Sequence, residues 1–504
     1  MKQINKLYIL LLLIFPIINI FRFFPDTQFF GDTASLLVPA LSKINGLGHF
    51  YHDYWEYKPP GIMFLVSSWA HLFGQSLGSF KLFHFISNIL LLILIYSINK
   101  TILSKYLNYI STTFIAVVLF SPEIQTLLIA SEIFGLLFSI IAVYQLLRES
   151  PNLYLSGLLF ALSSQMKDPF AFTVISFGVY AIYLLFEVGV LKTVKNCLLF
   201  ILGYLTTFIL IILYLILNGA LSAYLQVIMF KSSFVNLPHL FDATLVTAKN
   251  ITAIITEYSA APFLMILILL GFYLSVKKTK NQLIIIMYSI GSLIGLAAGK
   301  SLGSHYLIQI IFPFYITMYI CICWIYEYIH SLRLNEKIKG YLLTLLIIIT
   351  TIAMLPGLKY FKSYILYVRP TLPIVQTVLT KEDQFVLDNT SKDDCISVVY
   401  GWGTSEIPYK TRRKTCTRFF LTNIVLTKWQ QQEYRDQIIN NPPKAVIYKN
   451  FETDMNVELF EKDIFNWSKV LSNCYYQDKI MITGHLLLSD DLSITKECII
   501  NNLR

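Results

Sequence analysis

Long apolar runs alternate with short polar loops over the first 357 residues of the chain. Runs of about 17–25 apolar residues are long enough to cross a bilayer as helices. The pattern predicts about eleven such helices, or up to thirteen if marginal segments also cross. They lie near residues 6–24, 80–98, 106–122, 126–147, 153–166, 170–188, 196–217, 254–275, 282–299, 304–328 and 340–357. The fold class is therefore a polytopic α-helical membrane protein.

Two segments near the front depart from this pattern. Lys2 and Lys6 precede the run 7–20 as in a signal peptide, but no small-residue cleavage site follows, which favours an uncleaved first helix. The segment 61–76 is shorter and more polar than a membrane span, so we expect an interfacial or re-entrant helix there.

From about residue 370 the pattern changes to short apolar runs between polar stretches. "CISVVYGW", "KAVIYKN" and "KIMITGHLLLSD" predict strands, and "KWQQQEYRDQIINN" predicts a helix that ends before Pro442-Pro443. The chain thus divides into a membrane domain, 1–357, and a small water-exposed α/β domain, 358–504. The second domain could cover a site, receive an acceptor or serve as a structural cap.

Composition agrees with this division. Hydrophobic residues make up 56% of the chain and charged residues only 14%, against about a quarter charged in soluble proteins. Residues 1–357 hold 13 acidic and 21 basic residues, whereas 358–504 hold 17 and 19. The last part alone has the charge density of a soluble domain.

The basic residues predict an orientation. Cytoplasmic loops of membrane proteins are enriched in Lys and Arg. With the N-terminus in the cytoplasm, each predicted inner loop is basic; the residues concerned are Lys100, Lys105, Arg148, Lys192, Lys195, the "KKTK" at 277–280, Arg333, Lys337 and Lys339. The loops 25–60 and 218–253 and the domain 358–504 then lie outside the cytoplasmic membrane.

Cysteine usage fits an oxidising space around the C-terminal domain. Cys395, Cys416, Cys474 and Cys498 all lie there, and two disulfides are plausible with three pairings open. Free buried thiols are the alternative.

Ionisable residues of the membrane domain collect at its predicted outer ends. Such groups are costly at membrane depth and usually line a cavity or pathway. They are Asp32, Asp53, Glu56, Lys58, Glu132, Lys167, Asp168, Lys231, His239, Asp242, Lys300 and His305, the last beside Tyr306. Shared placement in one leaflet predicts a site at the outer membrane surface.

The residue types suggest the chemistry of that site. Outward lysines suit an anionic lipid head group such as a phosphate, and Asp32 could take a proton from a nucleophile. Pro59-Pro60 would hold Lys58 in a stiff, extended backbone. The aromatic rings of Tyr51, Tyr54, Trp55 and Tyr57 could stack on a sugar or anchor the loop at the interface.

Each of these residues also has a plainer interpretation. Aromatic residues near a bilayer are often interface anchors, and a lone outward lysine is often a solvated loop charge. Asp32 could cap a helix that begins at Thr33, and His305 could be a packed, hydrogen-bonded histidine. The functional interpretation therefore depends on the predicted location of all these residues at the same side of the membrane.

The segment "GDTASLLVPALSKINGLGHFYHDYWEYKPPGIMFLVSSWAHLFGQS" resembles the start of GT-C glycosyltransferases related to protein O-mannosyltransferases and lipid A aminoarabinose transferases. Looser matches are Glu132, the His305-Tyr306 pair and "VVYGWGTSEIPYKTRRKTCTRFF". The specific positions shared with that family are Asp32, Gly48, Tyr51, Lys58, Pro59, Pro60, Phe73 and Gly74. Thr33 stands where the family often has Glu, and Tyr57 separates Glu56 from Lys58, which leaves a role for Glu56 in doubt.

The resemblance implies a GT-C fold and transfer of a monosaccharide from a polyprenyl-phosphate donor to a lipid, glycan or protein acceptor. By the same resemblance Asp32 would be the general base or the carboxylate that orients the acceptor, with Glu132 as a second acidic group in the catalytic site. Donor-phosphate ligands would be Lys58, with Lys167, Arg412 and Arg413 as further candidates; Tyr51, Asp53, Tyr54, Trp55, His305 and Tyr306 would line the substrate.

Cofactor motifs are missing from the sequence. It contains no P-loop, no Gly-x-Gly-x-x-Gly fingerprint and no Asp-x-Asp motif, so we expect neither a nucleotide nor a required metal or other cofactor, and no nucleic-acid partner.

The main alternative function is a transporter, flippase or polymerase of cell-envelope glycans. Transporters usually place polar residues near the bilayer midplane and often have related halves. Here the ionisable residues lie at outer ends and no internal repeat is evident. A non-catalytic surface scaffold would not explain Asp32 and Lys58.

Overall fold

A computed structural model of the full chain provides the structure. It describes residues 8, 10–22, 32–121, 124–125, 129–234, 273, 279–298, 304–354, 381–399, 407–419, 428–448, 473–481, 484–488 and 492–503. Predicted site residues His239, Asp242 and Lys300 lie outside these ranges, as does nearly all of the predicted span 254–275.

The chain divides into two compact units. The helical unit contains residues 1–25, 81–212 and 233–373, and the mixed unit contains residues 26–80, 213–232 and 374–504. The sequence places its one boundary near residue 357. The structure instead groups the first predicted outer loop with the C-terminal residues, because these distant segments pack on one another within the mixed unit.

The helical unit consists of apolar helices. They are α1 (Ile14–Arg22), most of α4 (Leu77–Ile102), α5 (Lys105–Leu119), α6 (Ser131–Leu147), α7 (Leu153–Met166), α8 (Ile175–Val188), most of α9 (Val190–Leu217), α11 (Lys280–Ala298), α12 (Ile308–Ser331) and α13 (Glu336–Met354). Short 3-10 turns, Asp168–Val174 and Ser304–Leu307, precede α8 and α12. Small residues let these helices approach closely.

The crossing of α7 and α9 illustrates this close approach. A Cβ atom on Gly157 would lie 2.0 Å from the Phe200 carbonyl oxygen, and one on Gly203 would lie 2.0 Å from the Tyr154 carbonyl oxygen. Close backbone contact at small residues is how helices associate in lipid, where the hydrophobic effect between helices is absent. Phe177 of α8 stacks on Phe200 beside this crossing, with ring centroids 3.6 Å apart.

Four helices among the described residues are long and apolar enough to cross a membrane, judged by length and composition. They are Gly78–Ile102, Asp168–Val188, Val190–Leu217 and His305–Ser331. Every other predicted span except 254–275 also contains a helix, although some of these are shorter. The helical class is confirmed, and the number of spans stays a prediction.

The mixed unit begins with two helices from the front of the chain. Helix α2 (Asp32–Ile44) begins at Asp32 itself, and α3 (Pro60–Phe73) begins with the last two residues of the polar cassette His52–Gly61. The predicted helix in 61–76 is therefore present. Helix α10 (Leu221–Phe234) lies in a predicted loop and was not expected from the sequence.

A five-stranded sheet forms the C-terminal part of the mixed unit. Its strand order is β2 (Lys414–Thr415), β1 (Cys395–Val399), β3 (Ala445–Tyr448), β5 (Gly484–Leu488) and β4 (Tyr476–Met481). Strands β2, β1 and β3 are parallel, and β5 and β4 complete the sheet as an antiparallel pair. The accompanying helices are α14 (Lys381–Asn389), α15 (Ile407–Thr411), α16 (Lys428–Asn440) and α17 (Leu492–Leu503).

The predicted α/β pattern of this part agrees with these elements. "CISVVYGW" and "KAVIYKN" contain β1 and β3, and "KWQQQEYRDQIINN" forms α16. The sequence treats "KIMITGHLLLSD" as one strand, whereas the structure divides it between β4 and β5, because the chain reverses between Met481 and Gly484. Apolar residues of α14 and of strands β1 and β3 pack together as a core.

Two disulfides link the four C-terminal cysteines. Cys395 pairs with Cys416 and Cys474 pairs with Cys498. The predicted count is confirmed, and one of the three possible pairings is selected. Cys197, Cys321 and Cys323 are free thiols.

We therefore predict that peptide mapping of the unreduced protein will recover two crosslinks, 395–416 and 474–498. Replacing Cys395 and Cys416 together by serine should lower the free energy of unfolding by about 3 kcal/mol, since the loop closed is about 20 residues. Chemical denaturation of the wild type and the double variant, both without reductant, measures this loss, and any crosslink between the two pairs would contradict this pairing.

Candidate functional site

Tyr51 closes a tight turn that leads into the polar cassette His52–Gly61. Tyr51 has φ of 62°, a conformation uncommon for a residue with a side chain. Its amide donates to the Tyr54 carbonyl at 2.9 Å, and its hydroxyl donates to the Lys58 carbonyl at 2.7 Å. Because the Tyr51 side chain is fully buried, these bonds fix the path of the chain from Tyr51 to Lys58.

Lys58 is a buried cation at the end of this turn. Only 2% of the residue is exposed, and its ammonium donates to the Ser35 hydroxyl of α2. The ammonium also lies 5.4 Å from the centre of the Tyr57 ring. Pro59 is extended and Pro60 begins α3, as the stiff Pro-Pro prediction requires.

Asp32 begins the helix that holds the lysine's partner. Ser35 follows it by three residues, and residues at this spacing lie one turn apart on the same helix face. The hydrogen bond from Lys58 to Ser35 therefore brings the predicted phosphate ligand to the turn of α2 that Asp32 opens. The Asp32 side chain itself lies outside the described atoms.

Glu56 has a backbone role in this turn. One of its carboxylate oxygens, Oε1, accepts hydrogen bonds from the amides of Tyr57 at 2.9 Å and Lys58 at 3.1 Å. The residue is 1% exposed. Its carboxylate thus stabilises the backbone that presents Lys58.

Trp55 attaches the cassette to the C-terminal residues of the mixed unit. Its amide donates to the Arg418 carbonyl at 2.6 Å, and the Arg418 guanidinium lies 4.9 Å from the indole ring centre. The rings of Phe419 and Trp429 lie 5.5 and 5.4 Å from Trp55. Trp55 is fully buried by these contacts, so the C-terminal residues help to fix the segment that carries Lys58.

Two of the predicted substrate-lining rings are packed in the interior of the mixed unit. Tyr51 and Trp55 are fully buried, and their predicted contact with a sugar or the membrane interface stays a prediction. Tyr54 is also buried, but it lines a polar cleft described below. Burial raises the pKa of the Tyr54 hydroxyl, which therefore remains a hydrogen-bond donor.

The two predicted phosphate-binding arginines differ in position. Arg412 is exposed, with φ of 54°. Arg413 is buried, and its guanidinium donates to the Thr390 hydroxyl and carbonyl and to the Thr411 carbonyl. Arg413 thus has a structural role, because its guanidinium donors are used by Thr390 and Thr411 of the same unit. Sequence reasoning did not single out Arg418 of the same basic segment, since only the fold places it against Trp55.

A second cluster of predicted residues forms in the helical unit. The Lys167 ammonium and the Glu132 carboxylate are 2.8 Å apart, with their side chains 11% and 2% exposed. The same ammonium lies 4.4 Å from the Tyr306 ring centre, and His305 packs on Tyr306 with centroids 4.3 Å apart. Four predicted residues from three elements thus meet. Lys167 binds a carboxylate here, which changes its expected role as an independent phosphate ligand.

Lys43 is a further cation that sequence reasoning did not single out. Its ammonium donates to the Tyr214 hydroxyl and lies 3.9 Å from the centre of that ring and 5.1 Å from the Phe50 ring. Burial lowers the pKa of Lys43. This contact ties α2 to the C-terminal end of α9 within the mixed unit. Lys231 lies in α10, and its side chain is outside the described atoms.

Within the described ranges no group of three or more His, Cys, Asp or Glu side chains has an arrangement that could hold a metal ion. The expectation that no metal is required stays a prediction.

Part of the chain matches a known protein family, and the fold is similar to that of solved structures. The family model for dolichyl-phosphate-mannose-protein mannosyltransferases matches residues 57–217, about a third of the chain, beginning one residue before Lys58. No curated protein sequence matches the chain. The fold is similar to that of ArnT from Cupriavidus metallidurans bound to undecaprenyl phosphate, with a TM-score of 0.54 and 9% identity over 98% of this chain and 99% of that one.

The resemblance to the GT-C glycosyltransferases is confirmed. An oligosaccharyltransferase of Archaeoglobus fulgidus, in complex with zinc and sulfate, aligns with a TM-score of 0.49 and 13% identity over 95% of this chain and 73% of that one. The family match takes in Lys58, Glu132 and Lys167, whereas Asp32 and the C-terminal residues lie outside it.

The turn before the cassette gives a stability prediction. Gly48 has φ of 150°, and a Cβ atom there would lie 2.6 Å from Cβ of Asp53; Gly46 has φ of 69° with open space around it. We expect Gly46→Ala to cost about 1 kcal/mol and Gly48→Ala about 2–4 kcal/mol, because the second adds a clash to backbone strain. Unfolding of the detergent-purified protein tests this order, and equal losses would contradict it.

The buried ion pair gives a second prediction. Removing one partner leaves the other charge buried, so Glu132→Gln and Lys167→Met should each lower the free energy of unfolding by about 3–5 kcal/mol. The double variant should lose less than the sum, with a coupling energy of about 1–3 kcal/mol. A double-mutant cycle in an unfolding titration measures the coupling, and strict additivity would show that the pair does not interact in solution.

Proposed function

We propose that this protein transfers a monosaccharide from a polyprenyl-phosphate donor to an acceptor on the outer face of the cytoplasmic membrane. The GT-C fold supports the class of enzyme, and the undecaprenyl phosphate named for ArnT supports a lipid-phosphate donor. The basic loops 100–105, 192–195 and 277–280 support an orientation in which residues 25–60 and the C-terminal residues are extracytoplasmic.

One observation supports this function most directly. The Lys58 ammonium is buried against Ser35, one helical turn after Asp32. A cation in such a water-poor setting interacts with a phosphate more strongly than an exposed one, because the local dielectric constant is low. Asp32 begins the same helix one turn earlier, and we assign its carboxylate to the acceptor.

These residues suit the charge changes of glycosyl transfer. The bond between the sugar C1 and the phosphate oxygen breaks, and the phosphate takes the electron pair. Lys58 stabilises the added negative charge, with the Ser35 hydroxyl as a second donor to the phosphate. The acceptor oxygen or nitrogen forms the new bond to C1 and gives its proton to Asp32.

The Glu132–Lys167 pair has a supporting part in this proposal. Its two charges cancel, so it presents a polar and nearly neutral surface rather than a second strong anion site. Tyr306 and His305 extend that surface. Glu132 stays the predicted second acidic group, and within the helical unit Lys167 holds its carboxylate in place.

The test uses purified full-length protein, labelled polyprenyl-phosphate monosaccharides and membrane extract as acceptor. Asp32→Asn should lower transfer at least a hundredfold, as for loss of a general base, while donor-lipid binding persists. Lys58→Met should lower transfer by about a hundredfold or more and weaken binding of undecaprenyl phosphate.

The matched control is Lys392→Met, which removes an exposed lysine of the C-terminal residues. It should leave both transfer and lipid binding unchanged. Folding of each variant is checked by its thermal transition. Equal transfer by wild type and Asp32→Asn would remove Asp32 from the chemistry, and no transfer with any donor would contradict the proposed class.

A further inference from the structure

A polar cleft of about 500 Å³ lies within the mixed unit, beside the cassette. One wall is the chain from Gly46 to Tyr54. The other wall is the segment from Lys414 to Arg418 together with Glu433 and Gln437 of α16. Sites for small molecules have volumes of about 300–1,000 Å³, so the cleft is large enough for a short oligosaccharide.

The polar groups of the first wall are held in place. The Asp53 carboxylate accepts from the His49 amide at 2.7 Å and contacts the His52 ring nitrogen Nδ1 at 2.8 Å. Gly48 allows the backbone to pass close to Asp53, where a larger residue would clash. Asp53 is therefore presented in a fixed position while its side chain remains 37% exposed.

The second wall is equally ordered. The Arg418 guanidinium donates to the Glu433 carboxylate at 2.6 Å, and the Gln437 amide donates to the same carboxylate at 2.8 Å. The Gln437 oxygen accepts from the Arg418 amide at 3.0 Å. A site whose groups are already positioned by one another loses little freedom when a ligand binds.

The charges of the cleft indicate the type of ligand. Asp53 and Glu433 contribute two negative charges, and Lys414 and Arg418 contribute two positive charges. Such a balanced surface does not favour a strongly charged ligand. It offers both acceptors and donors, which is what a neutral molecule rich in hydroxyl groups requires, because each hydroxyl both donates and accepts.

We propose that this cleft binds the carbohydrate part of the acceptor, which makes the acceptor a neutral glycan. This inference rests on the proposed glycosyltransferase function and narrows its acceptor class. The cleft joins the cassette through shared residues, since Tyr54 lines it and the Arg418 carbonyl binds the amide of Trp55, three residues before Lys58. A glycan bound there lies along the segment that presents Lys58.

The experiment measures two binding equilibria on the same preparations of full-length protein. The first probe is a panel of soluble neutral oligosaccharides, maltotetraose, mannotetraose and chitotetraose, with an acidic oligogalacturonide as comparison. The second probe is undecaprenyl phosphate. The cleft variants are Lys414→Ala and Asp53→Asn, and the matched control is Lys392→Ala, an exposed lysine that does not line the cleft.

We expect a neutral oligosaccharide to bind, with a Kd raised about tenfold by each cleft variant because a hydrogen bond to a charged group is lost. Lys392→Ala should leave this Kd unchanged, and the cleft variants should leave binding of undecaprenyl phosphate unchanged. Lys414 is exposed, so its variant tests the cleft even if Asp53→Asn proves unstable.

Three results would overturn the inference: no binding of any neutral oligosaccharide, binding that both cleft variants leave unchanged, or tighter binding of the acidic oligosaccharide. Failure of the proposed function is distinguishable from these results. It would appear as absent binding of undecaprenyl phosphate and absent transfer, while oligosaccharide binding at the cleft persisted.

Discussion

The path of the backbone from Tyr51 to Lys58 is the constraint on which the rest of the candidate site depends. The Tyr51 residue adopts a positive φ, which costs about 1 kcal/mol or more, and the buried hydroxyl bond to the Lys58 carbonyl offsets this cost. Glu56 adds two hydrogen bonds to the same turn, and Pro59 fixes its end. The position of one lysine is thereby set by several groups that do no chemistry themselves.

Arg418 and Trp55 extend this constraint to the C-terminal residues. An indole ring buried between a guanidinium and two aromatic rings gains from apolar burial and from cation–π contact. The C-terminal α/β residues thus belong to the same packed unit as the cassette. Within the mixed unit they stabilise the segment that carries Lys58 and supply one wall of the polar cleft. In the helical unit, an ion pair between Glu132 and Lys167 stabilises two ionisable groups among apolar helices.

Several site residues could be predicted from the sequence because their types are unusual for their surroundings. An acid or lysine at the end of an apolar run is costly, so Glu132, Lys167 and Lys58 stood out, and the structure joins the first two directly. Ser35 and Arg418 did not stand out, because a serine in a helix or an arginine in a basic segment is ordinary. The aromatic rings of the cassette also stood out, but their burial could not be predicted, since it depends on which distant segment covers them.

The sequence by itself determined the helical class, the change to an α/β pattern near residue 370, the cysteines that form disulfides and the rigid start of α3. These properties follow from local patterns of hydrophobicity, from Pro-Pro geometry and from the oxidising compartment. Tertiary structure alone decided that residues 26–80 group with 374–504, that Arg413 is structural while Arg418 contacts Trp55, and that Lys167 binds Glu132. The physical reason is that a side chain's burial and its partners depend on residues tens to hundreds of positions away in the chain, which no local pattern records.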